Sequence, residues 1–156
     1  MTATIDSKTR LVSQLINSCY KAQEGYRSAA TAVEDETLRK LFQIYAQQRT
    51  RFAEELRQYL PLEAECSEGV DTDGAFGQRK EATARNGDRL RECLDIDSRT
   101  VALYKEALAQ RALPTRAHFL ISSQLALMER VQDRMNVMLA NPLAGGAAAR
   151  LQRVTV

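Results

Sequence analysis

The sequence has 156 residues, with 22 basic and 20 acidic side chains, and apolar residues make up 44% of it. A chain of this length suits one domain, since folding at this size buries about two-thirds of the surface of the unfolded chain. The net charge of +2 is small and lacks the clustered basic excess of nucleic-acid-binding proteins, so we expect no binding to nucleic acid.

The sequence also bears on where the protein resides. It contains no run of about 18 apolar residues, so we expect no membrane-spanning helix. The first ten residues lack the charged start and apolar middle of a signal peptide, which predicts a cytoplasmic protein. The cysteines are Cys19, Cys66 and Cys93, an odd number without C-x-x-C spacing. This pattern favours neither a disulfide framework nor a zinc site.

Four segments show apolar residues at three- and four-residue steps, the recurrence that is typical of amphipathic helices. We predict helices at about 7–32, 35–60, 88–110 and 114–140. The expected N-caps are Asp6 or Ser7 for the first helix, Asp35 for the second and Asp88 for the third. Together the helices form one domain over residues 1–142, followed by a flexible tail over residues 143–156.

The connections between these helices are predicted to be short, long and short. Pro61 is expected to end the second helix, and a polar segment with four glycines, from Leu62 to Gly87, precedes the third. One long connection between the middle helices is the ferritin-like arrangement, whereas an up-down-up-down bundle needs three short loops. We therefore predict an all-α fold, a ferritin-like antiparallel four-helix bundle with one long crossover between helices 2 and 3.

Each predicted helix carries one polar residue near its middle on the apolar side. These residues are Gln23, Gln48, Asp97 and Gln124. A carboxylate on the inner face of a helix is unfavourable unless it is hydrogen-bonded, paired or bound to a metal. The partner of Asp97 is therefore the main question that the sequence poses. The arginines of the second and fourth helices, Arg49 among them, alternate with Gln and Glu and are predicted to face solvent.

Several segments carry a resemblance to a known family. They are CYKAQEGYRSAA (19–30), LFQIYAQQRTRFAEEL (41–56), LRECLDIDSRTVALYKEAL (90–108) and QLALMERVQDRM (124–135). The chain resembles a bacterial family of ferritin-like four-helix bundles that is catalogued as a domain of unknown function. In that family Glu is usual at the positions of Gln23 and Asp97 and His at that of Gln132, while Glu55 matches the family's acid in the second helix.

The inward polar residues of the four helices and the resemblance, which adds Glu55 and Gln132, together give the candidate metal ligands. They are Asp97, Glu55, Gln23, Gln48, Gln124 and Gln132. Gln is a poor ligand for iron, and His118 has no acid three residues before it to complete a Glu-x-x-His motif. We therefore predict a degenerate, metal-free site with no cofactor, in which Gln amides hydrogen-bond Asp97. On that interpretation, replacing Asp97 by Leu leaves the stability unchanged or raises it. Iron or another divalent metal at these residues is the alternative.

The residues indicate no enzymatic chemistry. Ser122 and Ser123 have no His or Lys at helical spacing, and no Gly-rich phosphate loop is present. We interpret the chain as a non-catalytic bundle that acts by protein association, either with a protein partner or with itself as a dimer. One alternative is a ferritin-like metal-binding protein that stores or oxidises iron. Another is a stress-related module that binds a partner on its outer faces.

Overall fold

The computed structural model describes residues 2–61, 86–111 and 113–141, with side chains from residue 7 onward. Four helices occupy these ranges: α1 (Thr2–Ala32), α2 (Glu36–Arg57), α3 (Asn86–Ala109) and α4 (Thr115–Ala140). The described ranges contain no strand, which confirms the all-α prediction. Cys66, the predicted tail at 143–156 and most of the segment between helices 2 and 3 lie outside the described residues. No helix of the described chain is long and apolar enough to span a membrane.

The helix starts agree with the sequence prediction at only one of the three predicted caps. The Asp35 side chain accepts a hydrogen bond from the backbone N–H of Leu38 at 3.0 Å and caps α2 as predicted. The prediction for α1 was wrong, because the helix begins at Thr2 with no Gly or Pro to delay it. It was also wrong for Asp88, which lies in the first turn of α3, where its negative charge still favours the helix start.

The end of α2 and the start of α4 differ slightly from the prediction. α2 ends at Arg57, and the N–H groups of Tyr59 and Leu60 bond carbonyls three residues back, so the chain tightens into a turn before Pro61. Pro114 occupies the N-cap position of α4, one residue before the helix, rather than its first turn. α4 ends at Ala140, immediately before Asn141, as predicted.

Contacts between the helices fix their directions. Cys19 and Tyr26 of α1 contact Tyr104 and Asp97 of α3, so the residue numbers rise along one helix as they fall along the other. α1 is therefore antiparallel to α3. It is also antiparallel to α2, to which a three-residue connection joins it. α2 and α3 consequently run in the same direction, and the ends that residues 58–85 join lie at opposite ends of the bundle. This arrangement agrees with the predicted long crossover.

The apolar core forms two clusters along the bundle. One contains Phe52 and Tyr104, and the other contains Tyr45 and Cys93. On α2, Arg49 lies between Tyr45 and Phe52, and on α3, Asp97 lies between Cys93 and Tyr104. A layer of polar side chains therefore separates the two clusters. Burial of each large apolar side chain in them contributes about 1.5–3 kcal/mol to the stability.

Candidate functional site

Asp97 faces the interior of the bundle, as predicted, and its partner there is Arg49. Both side chains are fully buried, with 0% of each exposed. Nε of Arg49 donates to Oδ1 of Asp97 at 3.2 Å, and Nη2 donates to Oδ2 at 2.8 Å. This two-bonded contact matches the flat fork of a guanidinium to the two oxygens of a carboxylate. The centre of the bundle therefore holds a neutral ion pair that joins α2 to α3.

The prediction that Arg49 faces solvent was wrong. The buried residues of α2 include Phe42, Tyr45, Phe52 and Leu56, and Arg49 stands four residues after Tyr45 and three before Phe52. It thus occupies the regular helical position on the buried side, whereas Gln48 lies half-buried beside it. The spacing alone carried this signal. The residue type indicates the opposite, because an arginine is almost never fully buried unless a partner neutralises it.

Side chains around the ion pair satisfy its remaining polar groups. The hydroxyl of Tyr26 donates to Oδ2 of Asp97, and Nη1 of Arg49 donates to Oε1 of Gln48. The guanidinium carbon lies 5.6 Å from the ring centroids of both Tyr26 and Phe52, within range of a cation–π interaction. Three helices, α1, α2 and α3, therefore contribute to one hydrogen-bonded network.

The network sets the protonation of its members. Burial and the neighbouring Asp97 carboxylate raise the pKa of Tyr26 well above its usual value. The phenol therefore stays protonated and donates a hydrogen bond to Asp97. Burial tends to lower the pKa of Arg49, but the charge and hydrogen bonds of Asp97 outweigh it and raise that pKa overall. Arg49 is therefore charged at neutral pH.

A second set of hydrogen bonds lies next to the ion pair, in the apolar cluster that contains Phe52 and Tyr104. The hydroxyl of Tyr104 donates to Oε1 of Gln124 at 2.7 Å and lies 3.1 Å from the sulfur of Cys19. Nε2 of Gln124 in turn donates to the backbone carbonyl of Phe52 at 3.3 Å. Gln124 thus faces inward as predicted, but it bonds Tyr104 and not Asp97.

The structure brings together only part of the predicted ligand set. Asp97 and Gln48 both contact Arg49, whereas Gln124 belongs to the second set of hydrogen bonds. Gln132 is half-buried and donates to Ser98 at 3.3 Å near the surface. The other two candidates, Gln23 and Glu55, are half-buried, and no hydrogen bond within the described residues joins them to the rest. The expected shell of glutamine amides around Asp97 is thus replaced by Arg49 and Tyr26, which bond it directly. Gln48 reaches it only through Arg49.

The arrangement does not fit a di-iron centre of the ferritin-like type. Such a centre takes a carboxylate from each of two helices and Glu-x-x-His motifs from two more. Among the described residues, no group of three or more His, Cys, Asp or Glu side chains is placed to hold a metal ion. Among the described residues, Asp97 is the one carboxylate that bonds Arg49, and this positive charge already lies against both of its oxygens. The cation that this layer holds is the planar guanidinium of Arg49.

Removing the Tyr104 hydroxyl should destabilise the protein moderately. In Tyr104→Phe, the buried oxygen of Gln124 loses its donor, and we expect the free energy of unfolding to fall by about 1–3 kcal/mol. Urea denaturation followed by circular dichroism measures this change. Tyr59→Phe, at a half-buried tyrosine, is the matched control and should shift it by less than about 0.5 kcal/mol. Equal effects of the two changes would contradict the assignment of the bond.

The buried thiols predict a loss of stability at alkaline pH. Burial raises the pKa of Cys19 from 9.0 to about 11, and burial likewise raises the pKa of Cys93. The unfolded chain therefore releases these protons at lower pH than the folded one, and the free energy of unfolding falls as pH rises through this interval. The difference between these two pKa values of Cys19 corresponds to about 2–3 kcal/mol of stability. Thermal denaturation near pH 8.5 and pH 10.5 should show a smaller drop in Tm for Cys19→Ala than for the wild type.

Comparison with known proteins gives a family and nothing more specific. A family model described as "Domain of unknown function (DUF2383)" matches residues 9–110. The matched residues cover most of α1 and all of α2 and α3, and so include both Arg49 and Asp97. No curated protein and no solved structure matches the chain.

Proposed function

The chain belongs to this family of unknown function, and from that premise we propose that it is a non-catalytic, ferritin-like bundle that acts by protein association. Its inner site is degenerate and metal-free, because the guanidinium of Arg49 supplies the positive charge that a metal ion provides in a di-iron bundle. The observation that carries this proposal is the fully buried, two-bonded contact between Arg49 and Asp97.

Charge opposes a metal ion in this layer. A divalent cation bound to Asp97 would have to displace the guanidinium, or else lie next to it in a medium of low dielectric constant, where like charges repel strongly. Oδ2 of Asp97 also accepts the hydroxyl of Tyr26, so fewer of its lone pairs are free. The side-chain oxygen of Gln48 already accepts a hydrogen bond from Nη1 of Arg49.

The outer surface supports action by association. Four large apolar side chains are exposed on α2 and α4, and they are Ile44 (58% exposed), Phe119 (70%), Leu127 (39%) and Val137 (61%). The interior, by contrast, is filled by packed side chains and a closed polar network. A protein partner, or a second copy of the chain, therefore meets it on these outer faces.

Iron loading tests the metal-free site. The purified protein is given ferrous iron in air, desalted and analysed for metal, beside Asp97→Ala as a matched control. We expect well below one equivalent per chain and the same content in both proteins. If the wild type retains one equivalent or more and Asp97→Ala loses it, the protein is an iron-binding member of the ferritin-like kind and the proposal is wrong.

Size-exclusion chromatography with light scattering tests association. A mass above that of one chain, lowered by Phe119→Ser, is the expected result for self-association through α4. Folding of the variant is checked by circular dichroism. A wild type that stays strictly monomeric, and that chemical cross-linking joins to no partner in the cell, would contradict a role in protein association.

A further inference from the structure

We infer that the polar layer is a binding site for a planar organic cation, which the side chain of Arg49 occupies from within the chain. This inference rests on the proposed absence of a metal and extends it by naming the class of cation that the surrounding residues recognise. It predicts that the site persists when Arg49 is shortened and then accepts an alkylguanidinium from solution in its place.

The contacts around the guanidinium are those of a shaped site. Both oxygens of Asp97 accept from one edge of the guanidinium, at 3.2 and 2.8 Å, and Gln48 accepts from the third nitrogen. Two aromatic rings, of Tyr26 and Phe52, lie at equal distances of 5.6 Å from its carbon. All three nitrogens are therefore bonded, and the cation also contacts aromatic faces.

These residues discriminate between kinds of cation. A planar, weakly hydrated guanidinium matches a carboxylate edge and two aromatic rings, whereas a compact ammonium is strongly hydrated and bonds as a point charge. A divalent metal needs several oxygen or imidazole ligands, and this layer presents one carboxylate and one amide oxygen. We therefore expect the order of binding to be alkylguanidinium, then alkylammonium, with divalent metal last.

Arg49→Ala creates the vacancy that tests this order. The variant keeps Cβ, and ethylguanidinium supplies the two further carbons and the guanidinium that the truncation removes. Thermal denaturation followed by circular dichroism is measured with about 20 mM ethylguanidinium, far below denaturing concentrations of guanidinium salts. We expect the Tm of Arg49→Ala to rise by about 4 °C or more, and that of the wild type to be unchanged. If Arg49→Ala is unfolded without ligand, the same titration is read as recovery of the helical signal.

Three controls isolate the site. Ethylammonium and Mn²⁺ replace the ligand in parallel samples. Leu56→Ala, at another fully buried position of α2, tests whether any cavity responds. In the double variant Arg49→Ala with Asp97→Asn, which removes the carboxylate, the rise in Tm should disappear.

The outcomes separate this inference from the proposed function. A rise with ethylguanidinium that exceeds any rise with ethylammonium supports the planar-cation site, and an equal or larger rise with ethylammonium overturns it. No rise with any ligand overturns the planar-cation site and leaves the metal-free proposal standing. A rise with Mn²⁺, alone or together with ethylguanidinium, overturns the selectivity. The metal-free proposal is judged separately by iron loading of the wild type, because Arg49→Ala lacks the guanidinium that opposes a metal ion. An equal rise in Leu56→Ala would show a general effect of the ligand and would overturn the inference.

Discussion

Replacing Asp97 by Leu is expected to lower the free energy of unfolding by about 3–5 kcal/mol, because it leaves the guanidinium of Arg49 buried without a counter-charge. The sequence alone suggested the opposite, since glutamine amides were the expected partners and can be buried without a carboxylate. The identity of the partner thus reverses the predicted effect of a single substitution. Urea denaturation of the wild type and the variant measures it.

The double variant Arg49→Met with Asp97→Leu is the decisive control for that prediction. Replacing both members of a buried ion pair by apolar residues of similar size is often neutral or stabilising. We expect the double variant to be more stable than either single variant, with a coupling energy of several kcal/mol between the two positions. Additive losses would show that Arg49 and Asp97 act independently, contrary to their bonded geometry.

Replacing Phe42 by Ala is expected to cost a similar amount, about 3–5 kcal/mol, through a different cause. Phe42 is fully buried, and its ring centroid lies 6.0 Å from that of Tyr26, the residue that donates to Asp97. The substitution leaves a cavity and removes the ring that supports Tyr26. Chemical denaturation quantifies the loss, and near-ultraviolet circular dichroism reports the environment of the tyrosines.

Phe119→Ala is the matched control for Phe42→Ala. The side chain of Phe119 is 70% exposed on α4, so at protein concentrations low enough to keep the chain monomeric its removal should change the free energy of unfolding by less than about 0.5 kcal/mol. A loss at Phe119 comparable to that at Phe42 would mean that Phe119 is covered in solution, for instance in a dimer. Repeating the measurement at several protein concentrations distinguishes that case, since a dimer's stability depends on concentration.

The helices and their buried faces followed from the sequence because periodicity is a local property. The apolar residues of α1, among them Val12, Ile16 and Tyr26, are buried along one face, and Asp97 faces inward at its predicted position on α3. Capping was less predictable. Asp35 is the N-cap of its helix, whereas Ser7 and Asp88 lie within theirs. A residue that can cap a helix marks its start only where the backbone before it is not helical.

The polar layer shows where reasoning from one helix at a time fails. Gln48 and Arg49 are adjacent, and the helical spacing from Tyr45 and Phe52 points to Arg49 as the inward residue of α2. The preference of arginine for water favoured Gln48 as the inward residue. Arg49 is the buried residue because Asp97 on α3 neutralises its charge. Either charge buried without the other would be strongly destabilising.

The sequence by itself determined the all-α class, the four helices and the inward position of Asp97, because these depend on spacings of three and four residues within single segments. Only the tertiary structure decided what Asp97 contacts. Arg49 lies on a helix that is separated from α3 by the long connection, and the two meet only when α2 and α3 both pack against α1. The pairing of charges depends on that packing, and no local pattern encodes it.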